Sequence, residues 1–309
     1  MNAPVVLGLD FGGTKISAAV CEISGDRLGS VTIPSGAEDG AQASLDRGIA
    51  AAQALLDEVA PGRRLLAVGA CTFGIPGMDG VRLAPTIPGW SDVAFGRVLE
   101  RAFDGAEIRL ATDVKAAARA EAEYGALVGC DPGIYLNLGT GLAVAIVANG
   151  SVIHGQNGAA GEIGYNLRQR SDVGASPLER VLLEEAVSGQ ALLRASRRLQ
   201  PPGHGAEAVF RRAATDPAAA GVLAEFITEL SFHLVNLTIA IDPVRIVVGG
   251  GMMRSWEQLG PGLRDALDAA VPFPPELMPA AFPFDAPLLG ALAMGTAAAR
   301  EILQAGAPA

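Results

Sequence analysis

Positive charge is in short supply in this chain: 23 Lys and Arg stand against 33 Asp and Glu, giving a formal net charge of −10. That balance opposes the phosphate backbone of DNA or RNA, so no nucleic-acid partner is expected. The one arginine-rich stretch, Arg194, Arg197 and Arg198 with Arg211 and Arg212, reads as a solvated helix face. Cysteine is scarcer still. Cys21, Cys71 and Cys130 are too far apart in sequence to form a CxxC metal or redox pair, and all three are expected to be small buried side chains. Long apolar runs are also missing, although 50% of the residues are hydrophobic. Stretches such as Ile241 to Gly251 are interrupted by glycine and fall below the roughly 20 residues that span a bilayer, so no membrane partner is expected. No basic segment precedes the first apolar run at Val5-Val6-Leu7, which makes the cytoplasm the expected compartment.

What is present is enough chain for two cores. At 309 residues, two lobes sharing one cleft are the natural arrangement. Val5 to Asp10 reads as a buried strand, Phe11-Gly12-Gly13-Thr14-Lys15 as a turn, and Ile16 to Val20 as a second strand. A Rossmann or Walker phosphate loop requires a helix after its glycines, so the hairpin pattern excludes both. Ala41 to Val59 has helical spacing, and Leu65 to Cys71 reads as another strand. Phe73 to Trp90 carries too many Gly and Pro residues for regular structure and suits ligand-facing loops. A helix over 93–103, a strand over 107–111 and a helix over about 114–124 follow, with Thr112-Asp113 at the junction. The second half begins again with strand, Gly139-Thr140-Gly141 turn and strand, so the chain reads as a diverged duplication of one βββαβα unit. Helices dominate from about 178 to 240, Val244 to Val248 is a strand, Gly249-Gly250-Gly251 opens a further segment, and a last helix near 288–304 packs back on the first lobe.

Glycine turns of this kind let backbone N–H groups converge on anionic oxygens, and Thr14 adds a hydroxyl donor. Asp10, at the end of a buried strand, needs a partner, water or a metal, and Mg2+ carried by a nucleotide meets that need. Asp113 is either a helix N-cap or a carboxylate that accepts the proton of an attacking hydroxyl. Glu162 and Tyr165, three residues apart in a glycine-rich turn, suit vicinal hydroxyls. Gly249, Gly250 and Gly251 allow a ring or ribose to approach the backbone, or form a bare turn.

Taken together and in order, these segments resemble the ROK family of sugar kinases, whose fold is the two-lobed, ribonuclease H-like fold of the actin-like ATPases. Leu9 to Lys15 is similar to its first phosphate motif, Phe73 to Trp90 to its sugar loop, and Asp113 to Ala118 to its catalytic-base helix. Leu138 to Gly141 is similar to its second phosphate motif, and Asp242 to Gly251 to its adenosine motif. The resemblance implies an α/β protein with a smaller lobe over 1–112 plus 288–309 and a larger one over 113–287. It also implies ATP and Mg2+ as cofactors, a small sugar as substrate, and a homodimer. By this similarity Asp113 is the base. Gly77, Thr86, Thr112, Glu162, Tyr165 and Glu184 bind sugar, and Asp10, Gly12, Gly13, Thr14, Lys15, Gly139, Thr140, Gly141 and Gly249 to Gly251 bind the nucleotide and its metal.

The departures from the family pattern are equally specific. An Asn-Asp pair is Thr112-Asp113 here, a Glu-x-Gly-His is Glu162-Ile163-Gly164-Tyr165, the sugar-loop Asn is Thr86, and the zinc-binding cysteines are absent, so no structural zinc is expected. Losing an amide and an imidazole disfavours plain glucose and suits an amino sugar, an N-acylated hexosamine or a cyclitol. The alternatives are an ordinary glucokinase and a catalytically inactive sugar sensor. The family's repressors carry a DNA-binding domain before the first phosphate motif, which here starts within ten residues of Met1, and they are not expected.

Overall fold

A computed structural model describes residues 3–84 and 87–305. The chain forms two compact units, Met1–Glu123 with Asp285–Ala309, and Tyr124–Phe284.

In the first unit, β1 (Val5–Phe11) lies at the centre of a five-stranded sheet of order β3-β2-β1-β4-β7, made with β2 (Lys15–Glu22), β3 (Arg27–Pro34), β4 (Leu65–Thr72) and β7 (Glu107–Thr112). The β2 and β3 strands run antiparallel, whereas β4 and β7 run parallel to β1. Period-2 alternation sends Val5, Leu7, Leu9 and Phe11 into one core and Val6 into another. Helix α1 (Ala41–Val59) fills the first core with Leu45, Ile49, Ala52 and Leu55, spaced for one helical face. The described residues between Phe73 and Trp90 are mostly irregular, as their composition dictates, with a two-strand ribbon of β5 (Ile75–Pro76) and β6 (Val81–Arg82). Trp90 anchors its end: it is buried, stacks on Phe73, and donates from Nε1 to Thr72 Oγ1 at 3.1 Å. Thr86 lies outside the described residues. Helix α2 (Phe95–Ala102) leads to β7, and α3 (Asp113–Tyr124) follows without a break.

The second unit repeats the plan. Strands β8 (Gly133–Leu138), β9 (Leu142–Ala148), β10 (Ser151–Val152), β11 (Arg245–Gly249) and β12 (Glu276–Pro279) form a sheet of order β10-β9-β8-β11-β12, again three antiparallel strands followed by two parallel ones. Four helices intervene: α4 (Leu183–Ala186), α5 (Gly189–Arg198), α6 (Glu207–Ala213) and α7 (Pro217–Ile241). An Asp216 cap and Pro217 at the first turn start α7, and Asp242 in the left-handed region stops it before Pro243. By length and composition α7 is apolar enough to cross a membrane. Leu223, Phe226, Leu230 and Leu234 nevertheless place one of its faces in the core with Leu136, Val144 and Val248. Helix α8 (Trp256–Ala270) continues through Pro261, and α9 (Ala286–Ala305) returns to the first unit, where it packs on β1 and β4. The boundary between the units falls between Glu123 and Tyr124, at the last residue of α3. Two sheets of matching strand order, flanked by helices, are the actin-like ATPase architecture.

Candidate active site

The first unit gathers one group of site residues at the ends of β1, β4 and β7. Asp10 pairs in register with Ser17 on one side and Cys71 on the other. Its residue surface is partly open, yet protein atoms crowd the carboxyl enough that burial, followed by the charge of Asp113, pushes its pKa from 3.8 up to about 7. The Cys71 thiol lies 3.6 Å from Asp10 Oδ1 and 3.5 Å from the carbonyls of Leu9 and Pro287. It is fully buried, and that burial holds its pKa well above the ordinary thiol range, which leaves it an inert donor. Lys15 pulls the Asp10 pKa down, and Asp285, just before α9, raises it. Sequence reasoning had no signal for Cys71 or Asp285: one is a neighbour across the sheet, the other lies at the far end of the chain.

The Gly12 to Lys15 turn is braced from behind. Gly12 N donates to Lys15 O at 3.0 Å, Ser35 N to Thr14 O at 3.0 Å, and the Ser35 hydroxyl to Gly13 O at 2.8 Å. Asp113 opens α3, where Val114 N donates to its Oδ1 at 2.9 Å. The neighbouring Thr112 is buried, and its hydroxyl accepts from Lys115 N at 3.1 Å, so this side chain caps the helix. Gly77 sits in the turn between β5 and β6, with its N–H on Gly80 O at 2.8 Å.

The second unit gathers the other group. The Gly139-Thr140-Gly141 turn joins β8 to β9, and its carbonyls are engaged by the first amides of α5, Gly189 N to Gly139 O at 2.9 Å and Gln190 N to Thr140 O at 3.4 Å. Glu184 on α4 lies against this turn: Leu142 N donates to its Oε2 at 2.8 Å, and a Cβ on Gly141 would meet that oxygen at 2.3 Å. Glu162 opens a 3-10 turn over Ile163–Tyr165, pinned to β9 by Val144 N donating to Gly161 O at 2.9 Å. The Tyr165 phenol is shifted upward by burial and then by the charges of Glu184 and Glu162, so these three residues share one locality. Of the three adjacent glycines, packing against β8 accounts for two. A Cβ on Gly249 would lie 2.0 Å from the Tyr135 hydroxyl, and Gly250, at φ 94°, would meet Leu138 O at 2.5 Å. Gly251 borders a cavity of about 310 Å³ that runs from Gly139 and Thr140 to Leu193 and Phe210, within the size range of ligand sites.

None of the three cysteines forms a disulfide, and all are buried. Among the described residues no group of three or more His, Cys, Asp and Glu side chains could hold a metal ion directly. Asp10 does fit a divalent cation held through water, because a nearby positive charge would relieve the strain of ionising a crowded carboxyl beside Asp113 and Asp285.

The ROK family model matches residues 6–297. A glucokinase of Halalkalibacterium halodurans is 30% identical, over 82% of this chain and 82% of its own. A kanosamine kinase of Amycolatopsis mediterranei is 28% identical, over 98% and 100%. Among solved structures, a ROK hexokinase from Thermus thermophilus superposes with a TM-score of 0.78 at 31% identity, covering 96% of this chain and 99% of that one. Two glycine turns in sheets of matching strand order, carboxylates at their rims and a family match over nearly the whole length have one reading: the chain belongs to the ROK family.

Proposed function

We propose that this protein, an ATP-dependent carbohydrate kinase, phosphorylates a primary hydroxyl at C6 of a hexose, an amino sugar or a related sugar-like molecule in the cytoplasm. The observation that carries the reading is the pairing of Asp113 with Asp10 in the first unit: two carboxylates close enough to perturb each other, at the rim of a glycine turn. Asp113, fixed at the start of α3 by the Val114 amide, takes the proton of the attacking hydroxyl. Gly12, Gly13, Thr14 and Lys15 in the first unit, and Gly139, Thr140 and Gly141 in the second, take phosphate oxygens, while the cavity beside Gly251 takes the nucleoside. Asp10 holds the waters of a magnesium ion, whose charge, when bound, offsets that of the phosphates.

Glu162, Tyr165 and Glu184 bind the sugar hydroxyls, and Gly77 and Thr86 contribute to the same binding. Amino sugars are favoured among the substrates because Glu162 and Glu184 both act on the same phenol, and a protonated amine lowers the cost of that clustered negative charge. The full-length likeness to a kanosamine kinase is in keeping with this preference. The homodimer implied by resemblance is proposed to form through the outer face of α7, where Phe232 and Ile239 are exposed.

The test is coupled ATP consumption against glucose, mannose, glucosamine, kanosamine, N-acetylmannosamine, N-acetylglucosamine and a cyclitol, with Asp113→Asn as control. Turnover on an amino sugar that falls by about 10³-fold or more in the variant, with sugar binding intact, is expected. Preference for glucose would return the ordinary glucokinase. Sugar binding without turnover in the wild type would identify a sensor, and undiminished activity in Asp113→Asn would remove this residue from the mechanism.

A further inference from the structure

The Glu162–Tyr165 turn poses a mechanical problem. Ile163 and Gly164 are buried, but the chain then runs over the surface through Leu167 and Val173, which are 43% and 72% exposed, so apolar packing does not fix the far side of the turn. Polar side chains do. Arg168 lays its guanidinium fork on both carboxylate oxygens of Glu229, through Nε to Oε1 and through Nη2 to Oε2 at 2.8 Å, with both side chains about three-quarters covered. One helical turn further along α7, His233 Nδ1 receives Asn166 Nδ2 at 3.4 Å. The amide nitrogen only donates, so Nδ1 accepts and the ring proton sits on Nε2, which is buried without a hydrogen-bond partner. Arg180 reaches back to donate to Tyr165 O at 2.6 Å and to Asn166 O at 3.0 Å. Asp172, buried, accepts from Arg168 N and Gln169 N at 3.1 and 3.3 Å and closes the segment on itself.

These contacts converge on Tyr165 and the residues that follow it. Glu229 and His233 stand four apart on α7, so one rigid helix face carries both grips. We infer that Arg168 with Glu229, and Asn166 with His233, form a polar clasp that sets the position of Glu162 and Tyr165 relative to α7, and that these four are positioning residues for sugar binding. The inference rests on the proposed sugar-binding role of Glu162 and Tyr165. Its physical content is that the turn takes its geometry from charged and polar contacts made to a distant helix, so cutting the clasp loosens one wall of the sugar site and leaves the nucleotide residues alone.

The experiment uses the full chain as Arg168→Ala, as Glu229→Gln, and as the charge-reversed pair Arg168→Glu with Glu229→Arg. In each single variant the KM of the preferred sugar is expected to rise about tenfold, from the loss of the bidentate ion pair. The KM of ATP and kcat stay within about twofold, and the reversed pair recovers most of the sugar KM. Hydrogen exchange in peptides spanning 162–173 is expected to speed up in the single variants and slow again in the pair. Equal losses in the sugar and ATP constants, or a reversed pair no better than either single, would overturn the clasp. Should the wild type phosphorylate no sugar, the sugar-site reading fails separately. Exchange then decides: acceleration confined to 162–173 upholds the clasp, and unchanged exchange removes it.

Discussion

Asp10 makes ionisation a cost for the unliganded fold. Its pKa rises from 3.8 to about 7 because the carboxyl is crowded by protein and faces Asp113. A group whose folded pKa is raised contributes its full stability below the unfolded value and loses it as pH climbs through the folded one. For Asp10 that window runs from about 4 to about 7. In metal-free and nucleotide-free buffer, Asp10→Asn is therefore expected to melt above the wild type at pH 8, with the gap shrinking steadily toward pH 5. Thermal unfolding across that range checks it, and a gap independent of pH would mean that Asp10 is ionised at no cost. The same residue shows how far sequence reading reaches. That a buried strand ends on a carboxylate beside glycines is plain from Val5 to Gly13, whereas the Cys71 thiol that touches it is a neighbour only once β1 and β4 pair.

At the scale of elements, α9 lies unusually close to the strands and helix beneath it. A Cβ on Gly69 of β4 would stand 1.8 Å from Ala291 O, and one on Gly290 of α9 would stand 1.8 Å from Ala116 O of α3. Backbone cannot yield as a flexible side chain would, so Gly69→Ala and Gly290→Ala are each expected to cost about 3 kcal/mol, read from the urea midpoint. Most elements were legible because their signals are local: alternation in β1, helical spacing in α1, and the repeat of strand, Gly-Thr turn and strand in the second half. Helix α8 was not, since Gly260, Pro261 and Gly262 are poor helix formers in the middle of it, and what holds it is Leu259, Leu263 and Leu267 packed in the core. The clasp on α7 was equally invisible, because Arg168 and Glu229 are 61 positions apart and nothing in either neighbourhood marks the other. Of the glycines assigned to adenosine, packing against Tyr135 and Leu138 explains Gly249 and Gly250, a constraint that only the folded sheet reveals.

For the whole molecule, the outer face of α7 is the feature to test. Phe232 and Ile239 are 59% and 52% exposed on a helix whose opposite face is core. Single exposed apolar residues are ordinary, but two spaced seven apart on one rigid helix form a stripe suited to a second copy of itself. Phe232→Glu is expected to convert a dimer into a monomer in light scattering after gel filtration. A mass unchanged by the substitution would place the interface elsewhere.

Helix α9 also has a consequence for biosynthesis. It completes the first unit although the whole of the second unit, Tyr124–Phe284, is translated before it. While the ribosome makes those residues, the face of the first sheet bearing Val6, Ala19, Leu66 and Ala67 has no cover of its own. The half of the protein that begins the chain is thus the half that finishes folding last, and the nascent β1–β4 surface is where a chaperone has most to shield.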